Sequence, residues 1–156
     1  MKSLIEEILF SQDKNIQYRL SKDHLSKWMA AINSVIEDDC SNKNTISLRF
    51  ISSEEMRKIN YKFRRVNSPT NVLAFPSELN GKNKINNLIG DIAICFEILK
   101  KEAEEQNKEI LDHLTHLFIH GALHLMGYKH ENELEGNNME SLERDILCKL
   151  GIDDPY

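Results

Sequence analysis

The sequence predicts an α+β fold, a small sheet covered by helices. Three observations lead there. Segments with apolar residues at helical spacing are interleaved with short runs that alternate or stay apolar throughout, as strands do. The chain has 156 residues, the size of one domain, with no internal repeat and no linker-like tract. Hydrophobic residues make up 40% and charged residues 29% of it, enough both to fill a core and to coat it. A single domain over residues 1–156 is therefore expected.

Leu4 to Phe10 carries both a strand and a helical pattern, and periodicity does not decide between them. From Ser21, SKDHLSKWMAAINSVIED places Leu25, Trp28, Met29, Ile32, Val35 and Ile36 at helical spacing, with Ser21 as N-cap. A polar break, Cys40 to Asn44, follows. TISLRFIS alternates Ile46, Leu48 and Phe50 with polar positions, as a half-buried strand does. In SSEEMRKINYKFRR, Ser52 or Ser53 caps a helix and Glu54 and Glu55 suit its first turn. Met56, Ile59, Tyr61 and Phe63 are its expected apolar contacts. NVLAFP, ending at Pro76, is a short strand, and SELNGKNKINN, from Ser77, is a loop. LIGDIAIC is another strand, and Phe96 to Asn107 a charged helix. Asp112 to Met126 is the most apolar helix, with Gly127 at its C-terminus. The last helix, Glu133 to Leu150, buries Met139, Leu142, Ile146 and Leu147 and stops at Gly151.

Composition excludes several classes. No apolar run approaches the roughly 18 residues needed to span a membrane. The N-terminal stretch, interrupted by Glu6 and Glu7, is too short and too charged for a secretory signal. Cys40, Cys95 and Cys148 are odd in number and form no CxxC pair, which suits a reducing cytoplasm. A net charge of −5 argues against a nonspecific nucleic-acid coat. Within that acidic average, RKINYKFRR (Arg57 to Arg65) holds five cations and no acid, a strip suited either to solvent or to local phosphate contact.

Of six histidines, five lie between His113 and His130. His120 and His124, four residues apart, stack on one helix face and can reach one cation. A continued helix would carry residue 130 elsewhere; Gly127 lets the backbone turn so that His130 becomes the third ligand. Three neutral imidazoles satisfy one Zn2+ ion at about 2.0–2.1 Å and leave the fourth position open, as in a catalytic site. His113 and His116 are expected to pack or to support the ligands, and His24 to lie on the surface. HxxxHxxGxxH is also the spacing of metzincin proteases, whose general base is a glutamate directly after the first histidine. Gly121 stands there, so peptidase chemistry is disfavoured. Arg64 and Arg65, poor bases but good clamps for a phosphoryl oxygen, point to phosphodiester cleavage instead.

The same residues resemble the YbeY endoribonucleases of bacterial rRNA maturation. HGALHLMGYKH matches the family pattern HGxLHLxGYDH at every fixed position but one, where Lys129 replaces aspartate. FRRVNSPTNVLAFP, LIGDIAIC and MESLERDILCKLGIDDPY extend the likeness. It implies a small, mainly parallel four-stranded sheet and a zincin-like metal-bearing helix. It also implies a metal-dependent, single-strand-preferring endoribonuclease that acts on the 3′ end of small-subunit ribosomal RNA and in ribosome quality control. By position, His120, His124 and His130 become the zinc ligands and Arg64 the active-site arginine, with Arg64 and His124 the candidate catalytic residues. Lys129, unable to accept a hydrogen bond, is expected to face solvent, with contact to a phosphate as the alternative. A noncatalytic ribosome-assembly factor with a structural zinc, and a metalloprotease, are the alternatives.

Overall fold

The computed structural model describes residues 5–36, 44–77 and 88–156. The polar break at Cys40 and all of the predicted loop beyond Ser77 lie outside them. Strand β1 (Ile5–Gln12) resolves the ambiguous first segment, and pairing decides it: β1 runs parallel to β2 (Asn44–Ile51), with Ile8 opposite Ile46 and Phe10 opposite Leu48. After helices α1 (Lys22–Val35) and α2 (Ser53–Arg64) come β3 (Val72–Pro76) and β4 (Leu88–Cys95). Strand β4 lies parallel to β2 on its other side, and β3 pairs antiparallel with β4, giving the order β1-β2-β4-β3. Three parallel strands and one antiparallel edge make the sheet mainly parallel.

From Ile92 to Cys95, after the exposed Asp91, β4 is buried on both faces, which accounts for the apolar run there. Ile92 and Ile94 join Ile46, Leu48 and Phe50 in the main core, while Ala93 and Cys95 join Ile51, Met56 and Leu73 in a second cluster under α2. Helices α3 (Phe96–Glu105), α4 (Ile110–Leu125) and α5 (Glu133–Lys149) complete the chain. Helix α4 lies against β3 and β4 and is covered by α1, α3 and α5. Trp28 of α1 stacks on Phe118 of α4 with ring centroids 4.8 Å apart. Gly90 permits the tight join of β3, β4 and α4, since a Cβ there would come within 2.5 Å of the Phe75 carbonyl oxygen.

Three expectations need correction. In α2, Met56 and Asn60 are buried, whereas Tyr61 and Phe63 are exposed. The inward face runs through Asn60, whose side chain donates to the Ser68 carbonyl at 2.8 Å. Helix α4 starts at Ile110, two residues earlier than its apolar pattern suggests. His24 is half-buried rather than a plain surface residue, its Nδ1 3.0 Å from the Ser21 hydroxyl in the N-cap of α1.

Candidate metal centre and cleft

Helix α4 is apolar around most of its circumference and so occupies the middle of the molecule. Its last two turns carry His120 and His124. Beyond Leu125 the backbone closes a Schellman motif: Gly127 donates to the His124 carbonyl at 3.0 Å and Tyr128 to the Leu123 carbonyl at 3.0 Å. Gly127 has φ +96°, a left-handed conformation that a side chain would strain. The reversal returns His130 to the two helical rings. One ring nitrogen from each of His120, His124 and His130 falls within 4.8 Å of the others. The Nε2 atoms of His120 and His124 are 3.0 Å apart, near the roughly 3.3 Å separating two ligands of a tetrahedral zinc.

The opposite ring nitrogens are engaged. Nδ1 of His124 lies 3.2 Å from the Tyr128 carbonyl oxygen, so it carries the proton and leaves Nε2 as the ligand. Nδ1 of His120 meets a carboxylate oxygen of Glu143. Burial lowers the pKa of His124, and the neighbouring His120 and His130 lower it further, which keeps it in the neutral form that a metal needs. The donor set is nitrogen-only and convergent. It fits a single ion of the zinc type.

Glu143 has no solvent exposure. Burial pushes its pKa up, but hydrogen bonds to His116, His120 and Tyr156 outweigh that and hold it at about 2. The Tyr156 hydroxyl donates to the other carboxylate oxygen. Burial and the Glu143 charge raise the pKa of Tyr156 far above the ordinary phenol range, so it stays a donor. His116 adds its Nε2 at 3.4 Å from the Tyr156 oxygen and 3.6 Å from Glu143.

These groups border an open cleft of about 630 Å³. Arg64, at the end of α2, stands on its rim, with Asn71, Ala74 and Pro76 of the β3 segment. Arg65, with φ 60°, is not among the lining residues; its guanidinium lies 5.8 Å from the Tyr61 ring. Lys129 is exposed, as expected, yet stands on the cleft rim beside His130. Gly121 is buried, and a Cβ there would come 3.2–3.4 Å from three atoms of Ile92. Any side chain there would press on the Ile92 side chain, which would have to give way.

Residues 8–151 match the family described as Endoribonuclease YbeY. The chain belongs to the YbeY family. Proteins called Endoribonuclease YbeY from Colwellia psychrerythraea and Alteromonas mediterranea are 39% and 43% identical, over 87% and 80% of this chain and 87% and 78% of theirs. A relative of the same name from Francisella philomiragia is 44% identical over 71% of this chain and 72% of its own. A Thermotoga maritima protein solved in solution shares the fold, with a TM-score of 0.58 over 95% of this chain and 97% of that one at 23% identity.

All three predicted ligands of this YbeY-family chain converge, and Arg64 shares their cleft. His113 is buried away from them, with its Nε2 2.7 Å from Glu102, which also holds Asn71 at 3.2 Å. Glu143 and Tyr156 were missed. Glu143 did leave a signal: it occupies the apolar face of α5 between Met139 and Ile146, where an acid needs a partner. Tyr156 left none, because its contact spans the fold.

Proposed function

We propose that this protein is a zinc-dependent endoribonuclease, one domain over residues 1–156, cutting single-stranded RNA by hydrolysis. The observation that carries the reading is three convergent imidazoles open to a cleft edged by an arginine, with no carboxylate beside the first ligand. The names of its relatives carry it to RNA. Zinc held by His120, His124 and His130 would supply Lewis acidity toward a phosphate oxygen and a more acidic bound water. Tyr128 and Glu143 fix the tautomers of His124 and His120, so their Nε2 atoms face one point. Arg64 is the phosphate clamp, always charged and suited to charge that develops on a transferring phosphoryl group. Small-subunit ribosomal RNA, at its 3′ end, is the proposed substrate, the ribosome the partner and the cytoplasm the setting.

The test pairs metal analysis with RNA cleavage. Arg64→Ala should lose cleavage by 100-fold or more, on the order of removing one charge-stabilising donor, and keep its zinc. His124→Ala should lose both. Undiminished cleavage by Arg64→Ala would remove that residue from the mechanism.

A further inference from the structure

The last turn of α2 carries a patch that the metal centre does not use. Tyr61 and Phe63 are 50% and 59% exposed. The Phe63 ring rests against Phe75 with centroids 5.0 Å apart, which positions it while most of its surface stays open. Lys62 Nζ lies 5.2 Å from the Phe63 centroid. Among the described residues, Lys62, Arg64 and Arg65 have no carboxylate within ion-pairing distance, whereas Arg57 and Lys58 both meet Glu54. Arg64 follows Phe63 in the chain and stands on the cleft rim. So do Ala74 and Pro76, on either side of Phe75. The patch therefore begins where the cleft ends.

Uncompensated cations select a polyanion, and open aromatic faces select a partner with π-faces to offer. Single-stranded nucleic acid has both, since its bases are free to leave their own stack. An apolar protein surface would cover the rings but leave the cations dry and unpaired, which is costly. We propose that Phe63 is a stacking subsite for a base flanking the cleavage point in single-stranded RNA, with Lys62 and Arg65 meeting backbone phosphates. This rests on the nuclease reading above.

The test is binding of a labelled single-stranded oligoribonucleotide, followed by anisotropy in chelator so that nothing is cut. Phe63→Ala and Phe63→Leu should each bind roughly tenfold weaker, the size of one lost base–aromatic stack. Phe63→Leu keeps an apolar contact with Phe75, so its loss is not a packing effect. Neither variant should change the salt slope, whereas Lys62→Ala and Arg65→Ala should each reduce it by about 0.7. Phe63→Trp should bind at least as well as wild type, with its added indole quenched by RNA; the one native tryptophan, Trp28, is buried. An oligonucleotide with abasic sites should bind wild type and Phe63→Ala alike. Equal affinity of Phe63→Leu and wild type for intact RNA, or an unquenched indole, overturns the subsite and leaves a protein partner as occupant. Wild type that binds no RNA overturns it too. Protein that cuts RNA regardless of position 63 loses the subsite and keeps the nuclease; protein that binds through Phe63 without ever cutting does the reverse.

Discussion

Glu143 is the residue on which the geometry of the centre depends most without being a ligand itself: it orients the His120 ring through Nδ1. A carboxylate wholly removed from water is costly, and here His116, His120 and Tyr156 all offset that cost at one point. Replacing it with an apolar residue of similar size removes both the cost and the orienting partner. Glu143→Leu is therefore expected to fold, yet to bind zinc about 10- to 100-fold more weakly, the usual loss when a ligand's supporting carboxylate goes. Competition against a chromophoric chelator measures this, and wild-type affinity would dismiss the positioning role. The same carboxyl sets an acid limit. Its pKa of about 2 in the fold lies below the ordinary 4.5. Ionisation thus favours the folded state: the contribution is complete above about pH 4.5 and lost as pH falls through about 2, about 3 kcal/mol in all. Urea unfolding of metal-free protein across that window should show a shallower acid limb in Glu143→Leu.

At the scale of elements, helix α4 answers two demands at once. One face presents His120 and His124 to the cleft, and the next residue, Gly121, brings the helix down on Ile92 of β4. The glycine that removes the protease base is thus also a packing residue. Gly121→Glu should not create a peptidase; it should cost about 3 kcal/mol or more through overpacking and a buried charge. Denaturant midpoints test the cost and casein digestion the activity, and a stable, proteolytic variant would contradict the account. Elements with one strong period were legible in the sequence: α1, β2, β4 and α5 stand where their patterns put them, and so does α4 apart from its earlier start at Ile110. Strand β1 was not, because Ile5 and Ile8 fit either period and only pairing with β2 chooses. The tail of α2 misled because periodicity counts apolar residues without saying which stripe turns inward; Asn60, hydrogen-bonded to Ser68, took the place expected for Tyr61 and Phe63. The three ligands were readable since they sit within one helix and its turn. Glu143 and Tyr156 reach the site across tertiary distance.

For the whole molecule, the question is whether the metal holds the fold together or is held by it. The main core joins residues of β1, α1, β2, β4, α3, α4 and α5, and none of the three ligands is part of it. Their rings lie at the end of α4 and in the exposed turn beyond, where His130 is solvent-accessible. A domain with that much apolar burial independent of the ion does not need it to fold, unlike small metal-stapled domains. Chelation should therefore leave circular dichroism and cooperative unfolding intact. Bound ion at 100 times its dissociation constant adds about 2.7 kcal/mol, so its removal should lower Tm by about 5–10 °C for a chain of this size. RNA cleavage should fall to background and return on adding zinc. If instead chelation melts the sheet while RNA cleavage was never present in purified protein, the ion is a structural pin and the protein an assembly factor. Calorimetry with and without chelator, run beside an RNA assay and a His124→Ala control for contaminating nuclease, separates the two because the metal-bearing turn and the core are physically distinct.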